Sequence, residues 1–253
     1  MSVQKWASSW VHGPVVYRFG ETWFLYYVAH GNKRTSIEEM LRGGVVGVAT
    51  SVDLLGPWIP FENNPILSPR SAYWDHYSTT NISVFELPDG RYGMVYKGRG
   101  DERGSQRIEM ATADTPLGPW ERGDSPNFCP ELNGLALEDI CVWTEQGLYL
   151  AAVKTFATVH KIPASATILL YSESGFPDSW KIHPMNPIVW DTNLQFDDEL
   201  ISKRYQHVEF PFVYVEDGQA IALINGVHPT GHNSPGAMNV LRLVKPWDDY
   251  DDC

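Results

Sequence analysis

The sequence is poor in cysteine and in long apolar runs. Its three cysteines, Cys129, Cys141 and Cys253, show neither CxxC nor Cys/His spacing, so we expect neither a disulfide framework nor a structural zinc site. No apolar run reaches the roughly 18 residues that indicate a membrane-spanning helix. The N-terminus also lacks a charged-then-apolar signal segment. We therefore expect no membrane association, and a chain that is either cytoplasmic or has lost its signal.

Positive charge is scarce as well. There are 19 Lys and Arg against 31 Asp and Glu, which gives a net charge of −12. Nucleic acids and anionic membranes need a basic surface, so we expect neither as a partner. Aromatic residues, in contrast, are abundant: ten Trp and twelve Tyr accompany 18 Pro and 21 Gly. This composition is typical of a strand-and-turn protein with aromatic surfaces on which a neutral ligand such as a sugar can pack.

A segment of the chain repeats four times. In each repeat an apolar strand leads to a tryptophan, and these tryptophans are Trp58, Trp120, Trp180 and Trp247, spaced by 62, 60 and 67 residues. The first two segments read GVATSVDLLGPW (47–58) and EMATADTPLGPW (109–120). Regular self-similarity of this length indicates a repeat architecture.

The first half of each repeat predicts a hairpin. Two apolar strands flank a glycine-containing turn, at Phe19-Gly20, Asp89-Gly90, Gln146-Gly147 and Asp217-Gly218. A hairpin followed by two more strands gives four antiparallel strands per repeat, which describes a propeller blade. We predict an all-β fold, a β-propeller of four-stranded antiparallel blades, in a single domain spanning residues 1–253.

The turn glycines also align polar residues at the strand starts. The residue nine positions before the turn glycine is Asn81, Glu138 or Glu209, and the counterpart in the first repeat is His12. The first strands of propeller blades line one channel, so these positions are predicted to form a polar pocket.

The blade starts HGP, TNIS, LEDI and EFP, together with the blade ends GPW, resemble the five-bladed β-propeller glycoside hydrolases. That group includes glycoside hydrolase family 43 and relatives such as family 117, and the resemblance covers nearly the whole chain. It implies a hydrolase that cleaves glycosidic bonds of plant or algal poly- and oligosaccharides. In family 43 an inverting mechanism uses an Asp base, a second Asp that tunes pKa and orients the substrate, and a Glu acid.

The resemblance assigns roles to individual residues. Glu209 in EFP matches the general acid, Asp139 matches the pKa-tuning Asp, and Glu138 is the rival for either role. Candidate substrate contacts are His12, Asp75, His76, Asn81, Lys97, Trp143 and His207. A solitary His is more often structural, and the polar residues of YWDHY could equally be a solvated rim.

Two departures from the family pattern leave alternatives open. The family places its base in His-Asp-Pro, whereas this chain has His12-Gly13-Pro14, and glycine cannot take up a proton. Either Asp75 or Glu138 serves as base, or the base is absent and the protein is a non-catalytic carbohydrate-binding propeller. A propeller scaffold for other proteins is a third reading.

The second departure is the blade count. We count four blades, one fewer than five, which implies that an N-terminal blade is lacking. The ring then closes with four blades or through another copy of the chain, so a homo-oligomer is one expectation. No cofactor is expected. Relatives of this kind sometimes hold a calcium ion, but no Asp-x-Asp-x-Asn-Gly loop specifies one here.

Overall fold

The computed structural model describes residues 5–31, 42–101, 106–126, 128–132, 134–156, 158, 166–186, 189–190, 205–229 and 238–243. Contacts within the chain define two compact units, Met1–Phe128 and Cys129–Cys253, and each is described by itself. That residues 1–253 form a single domain stays a prediction.

The first unit contains two four-stranded antiparallel sheets. One sheet consists of β1 (Trp10–Phe19), β2 (Thr22–His30), β3 (Val45–Ser51) and β4 (Ile59–Pro60). The other consists of β5 (Ser78–Glu86), β6 (Tyr92–Arg99), β7 (Arg107–Ala113) and β8 (Glu121–Arg122). Strands follow sequence order in both, so the first strand of each hairpin forms a sheet edge. A short 3-10 helix, Lys5–Ala7, precedes β1.

The second unit repeats this arrangement. Its first sheet contains β9 (Leu137–Glu145), β10 (Leu148–Thr155), β11 (Ala166–Ser172) and β12 (Lys181–Ile182), and β13 (Val189–Trp190) also pairs with β11. Its second sheet contains, within the described residues, β14 (Tyr205–Glu216), β15 (Gln219–Pro229) and β16 (Met238–Leu243). A 3-10 helix, Pro130–Leu132, precedes β9.

The predicted hairpins are confirmed, and their turns differ in length. At Gln146-Gly147 both residues have positive φ, 51° and 79°, and at Asp217-Gly218 the values are 51° and 77°. Positive φ at both central residues is the signature of the two-residue type I′ turn, which follows the twist of its strands. The second hairpin is longer: residues 87–91 separate β5 from β6, closed by a 2.8 Å bond from Leu87 N to Arg91 O.

Alternating apolar residues bury one core in each unit. In the first unit, buried side chains of both sheets pack together, among them Tyr26, Val48, Val84 and Tyr96. The Tyr17 hydroxyl also meets the Ser83 hydroxyl at 2.8 Å, which ties β1 to β5. In the second unit, Cys141 on β9 packs with residues of β14 and β15.

Burial accounts for two of the four tryptophans that end the repeats. Trp120 and Trp180 are buried, while Trp58 is half-buried and Trp247 lies outside the described residues. Antiparallel sheets in repeated order, with only two short 3-10 helices over the described ranges, confirm the predicted all-β, propeller-type fold class. Among the described residues no helix is long and apolar enough to cross a membrane.

Candidate functional site

Each of the four first strands carries a β-bulge near its start. The pairing register shifts between His12 and Val15, Thr80 and Ile82, Glu138 and Ile140, and Glu209 and Phe212. One residue in every bulge has a left-handed backbone: Gly13 (φ 58°), Asn81 (46°), Asp139 (49°) and Phe210 (49°). A bulge bends the strand and re-aims side chains, so all four strand starts depart from regular pleating at the same place.

The bulges correct the alignment obtained by counting from the turn glycines. The residues directly before the bulge are His12, Thr80, Glu138 and Glu209. Asn81 is therefore the counterpart of Asp139, not of Glu138 and Glu209 as the count predicted. The count failed because the second hairpin has the longer turn, residues 87–91.

The residues in the bulges differ in how easily they adopt this conformation. Asn and Asp enter the left-handed region several-fold more often than other residues that carry a Cβ, because their short polar side chains bond locally. Phe210 has no such advantage, and its aromatic ring is half exposed. A bulky residue held at φ 49° is backbone strain of the kind that accumulates at functional sites.

In the second unit, Asp139 joins two of the bulges. Its side chain is 3% exposed, and its Oδ2 accepts a hydrogen bond from the backbone N–H of Phe210 at 3.1 Å. The bulge of β9 is thereby fixed to the bulge of β14. Since Phe210 follows Glu209, this bond fixes Asp139 beside the backbone next to Glu209, and these are the two residues to which the family resemblance assigns catalytic roles.

Glu209 forms an ion pair that the sequence did not indicate. Lys154 on β10, only 2% exposed, places its Nζ 2.5 Å from Glu209 Oε1. The same ammonium lies 4.9 Å from the centre of the Phe156 ring. A buried ammonium needs a counter-charge, and Glu209 supplies one.

Asn225 on β15 contacts the backbone of Glu209. Its amide Nδ2 donates to the Glu209 backbone carbonyl at 3.4 Å. Its Oδ1 is buried and has no hydrogen-bond partner within the described part of the chain. A buried amide oxygen of this kind is ready to accept a hydrogen bond from a ligand hydroxyl.

Glu138 is the other carboxylate at the bulge of β9. It is half-buried, precedes Asp139 on β9, and its backbone pairs with Lys154. Lys97 of the first unit has the same register position in its own sheet, opposite Thr80, and is also buried. Two of the repeats therefore carry a lysine at the same position of the second strand. This repetition is found only when the strands are aligned by their bulges.

The first unit has a cluster of two histidines beneath a tryptophan. The Nε2 atoms of His12 and His30 are 3.3 Å apart, and the Trp10 ring stacks on His12 at 4.4 Å between centroids. Trp10 is 40% exposed. The pKa of His12 is lowered to about 4, mainly by burial and then by the charges of His30 and Lys97, so His12 is neutral at pH 7.

Asp75 lies in a buried polar network. It is 0% exposed and accepts hydrogen bonds from Arg70 Nε at 3.0 and 3.2 Å, Arg122 Nη1 at 3.1 Å and the Tyr96 hydroxyl at 2.9 Å. Burial, with the nearby charge of Asp75, raises the pKa of Tyr96, which keeps the hydroxyl a donor. A buried carboxylate whose two oxygens already accept bonds from two guanidinium groups and a phenol hydroxyl is held in place by the fold, so this geometry favours a structural role. The predicted substrate contact through Asp75 stays a prediction.

Two of the remaining predicted contacts, His76 and Trp143, form hydrogen bonds with other groups, and the third, His207, is described only by its backbone. His76 is exposed, and its Nδ1 contacts the Tyr73 carbonyl at 2.8 Å. The Trp143 Nε1 donates to Glu145 Oε2 at 3.2 Å, toward the turn end of β9, and its ring packs on the core. The backbone of His207 belongs to β14, but its side chain lies outside the described residues.

No metal-ligand set is evident in the parts of the chain that the structure describes, where no three or more His, Cys, Asp or Glu side chains gather suitably for an ion. Calcium binding stays a prediction.

No family model matches the chain, and no curated protein matches its sequence. Solved structures, in contrast, are similar over most of its length. An α-L-arabinofuranosidase from Lactobacillus brevis shares 14% identity with a TM-score of 0.64, covering 96% of this chain and 74% of that one. A family 117 glycoside hydrolase from the marine bacterium Zobellia galactanivorans shares 15% identity with a TM-score of 0.61, covering 94% and 61%.

A GH43 protein from Bacillus licheniformis is similar as well, at 16% identity and a TM-score of 0.61, covering 96% of this chain and 42% of that one. The chain thus spans between 42% and 74% of the length of these three proteins. At such low identity the similarity establishes a shared fold.

Proposed function

We propose that this protein is a glycoside hydrolase that cleaves glycosidic bonds of plant or algal poly- and oligosaccharides. The observation that carries the proposal is the fixed pair of carboxylates in the second unit, Asp139 and Glu209, at adjoining β-bulges. The similar structures support it, because their names describe an arabinofuranosidase, a family 117 hydrolase and a xylanase on the same fold.

The chemistry of hydrolysis fits a site with several carboxylates. The leaving oxygen must receive a proton while a water molecule loses one, so two carboxyl groups must differ in protonation. Glu209, Glu138 and Asp139 are the groups of the second unit that we assign to this work. Asp139 is bound to the Phe210 N–H, which suits it to orienting rather than to proton transfer.

Other groups are assigned to sugar binding. The Oδ1 of Asn225, for which the described residues offer no hydrogen-bond partner, can accept a hydrogen bond from a sugar hydroxyl. The first unit, taken by itself, carries its own candidate contacts with a sugar: the exposed face of Trp10 offers a stacking surface, and neutral His12 can exchange a hydrogen bond with a hydroxyl. These contacts suit a neutral ligand such as a sugar.

The test is a screen of arabino-, xylo- and agaro-oligosaccharides, with released sugars read by chromatography. We expect release by the wild type and a loss of about 10²–10⁴-fold in Asp139→Asn and Glu209→Gln. Asp217→Asn is the matched control, because Asp217 is exposed in a turn and its positive φ also suits Asn. Full activity in both site variants would refute the assignment.

A non-catalytic carbohydrate-binding protein is the second candidate, and one observation favours it. Gly13 stands in the bulge of β1, where the family resemblance expects an Asp base, and supplies no side chain. This candidate predicts heat of binding in calorimetry with the same oligosaccharides and no released sugar. A confirmed hydrolysis product removes it.

A further inference from the structure

The ion pair between Lys154 and Glu209 determines which protonation state of Glu209 is stable. The Lys154 Nζ lies 2.5 Å from Glu209 Oε1, and the Lys154 side chain is almost entirely buried. A cation at hydrogen-bond distance from a carboxylate favours its ionised form, and the effect is stronger where water is excluded. A protonated, neutral Glu209 would leave the ammonium buried without its counter-charge.

The described acidic groups on the neighbouring strand oppose this effect, because like charges favour the protonated form of Glu209, so the direct contact with Lys154 has to outweigh them. From β9, Asp139 and Glu138 are both carboxyl groups, and the Asp139 carboxylate binds the Phe210 N–H. From β15, the adjacent group is the neutral Asn225 amide, bound to the Glu209 backbone carbonyl. Within the described part of the chain, Lys154 from β10 is a cation in direct contact with the Glu209 carboxylate.

We infer that Lys154 is a positioning residue that keeps Glu209 ionised, so that Glu209 accepts a proton from water instead of donating one to the leaving group. This inference rests on the proposed function and reverses the role that the family resemblance assigns to Glu209. It also assigns a base within the second unit, whereas the sequence has Gly13 in the motif where the family resemblance expects one.

The step balances with Glu138 as the donor. A water O–H bond breaks and its proton passes to Glu209, while the water oxygen bonds to the anomeric carbon. The glycosidic C–O bond breaks, and the leaving oxygen takes the proton of the Glu138 carboxyl group. One water is consumed, and exchange with solvent restores both carboxyl groups for the next turnover.

The first test does not need turnover. The carboxyl carbon of Glu209 is followed by ¹³C NMR against pH in protein labelled at glutamate, with the signal assigned by its absence in Glu209→Gln. In the wild type we expect the ionised signal at neutral pH and down to clearly acidic pH. In Lys154→Met, protonation should begin at least about one pH unit higher, whereas Lys154→Arg, which keeps the charge, should restore wild-type behaviour.

Lys181→Met is the matched control, since Lys181 is exposed on β12 of the same unit, and it should titrate like the wild type. A wild-type Glu209 that is protonated at neutral pH overturns the inference, whether or not Lys154→Met folds. Identical titrations of wild type and folded Lys154→Met overturn it as well.

The second test separates proton acceptor from proton donor. Dinitrophenyl arabinosides and xylosides have a leaving group that needs no proton, whereas the corresponding disaccharides need one. We expect Glu209→Ala to lose about 10²–10⁴-fold on both substrate types, and Glu138→Gln to lose activity on the disaccharides alone. If Glu209→Ala retains activity on the dinitrophenyl substrates, Glu209 is the proton donor and the inference is refuted.

The two tests distinguish failure of the inference from failure of the proposed function. If the wild type turns over neither substrate type, the hydrolase assignment fails, and the NMR titration still decides whether Lys154 keeps Glu209 ionised. If turnover is found and the titration shows a protonated Glu209, the hydrolase stands and the reversed role falls.

Discussion

The carboxylate of Asp139 accepts a hydrogen bond from the backbone N–H of Phe210, 71 residues further along the chain. This bond joins a side chain in the left-handed bulge of β9 to the backbone of the left-handed bulge of β14. It makes Asp139 a structural element of the second unit as well as a candidate site residue.

We expect Asp139→Ala to destabilise the protein by about 1–3 kcal/mol, because a backbone N–H is left without its acceptor. Asp139→Asn keeps a side-chain oxygen at the same place and should cost less. Urea unfolding of the two variants beside the wild type measures the difference. Equal midpoints for Asp139→Ala and the wild type would show that the N–H finds another acceptor.

Phe210 tests whether the bulge of β14 is strained. Glycine adopts positive φ without penalty, so Phe210→Gly relieves strain worth about 1–3 kcal/mol. Because the Phe210 ring is half exposed, we expect the stability to stay the same or rise. The matched control is Phe212→Gly, in which a core-packed ring is removed and the melting temperature should fall. Equal destabilisation in both variants would contradict strain at position 210.

Asp75 is expected to matter for stability in the first unit. Asp75→Asn removes the charge shared by Arg70 and Arg122, and breaking a buried ion pair in this way costs about 3–5 kcal/mol. The exposed pair of Asp89 and Arg91 gives the control, since Asp89→Asn should leave the unfolding midpoint unchanged. Wild-type stability with lost activity in Asp75→Asn would instead favour a substrate contact.

The two histidines of the first unit predict a pH dependence. The pKa of His12 is lowered to about 4, with burial as the largest cause and the charge of His30 next. The unfolded state therefore binds this proton first, near its ordinary value of about 6.5. Stability from this group is present above pH ~6.5 and is lost as the pH falls from there through about 4.

His12 ring signals in ¹H–¹⁵N NMR provide the measurement. They should stay those of a neutral imidazole down to about pH 5 in the wild type. In His30→Gln the pKa of His12 should rise but stay below its ordinary value, because burial remains. A titration near pH 6.5 in the wild type would contradict the buried His12 described above.

Repeats in the sequence are sufficient to predict the sheets, because each hairpin carries local turn chemistry and period-2 alternation. The site is less predictable. Lys154 and Asn225 lie on the second strands of their hairpins, and their relation to Glu209 depends on pairing across a bulge that the sequence does not mark. Asp75 sits in a polar segment typical of a surface rim, yet Arg122, 47 residues later, pairs with it and allows it to be buried.

The bulges divide each first strand into two segments with separate tasks. After the bulge, the chain presents apolar residues to the core in all four repeats: Val15, Ile82, Ile140 and Phe212. Before it, the same four strands present an imidazole, a hydroxyl and two carboxylates: His12, Thr80, Glu138 and Glu209. An extra residue at the boundary lets the chemistry on one side vary while the packing on the other stays constant. Substitution at the few positions before the bulge can therefore change the chemistry of such a strand without a new core.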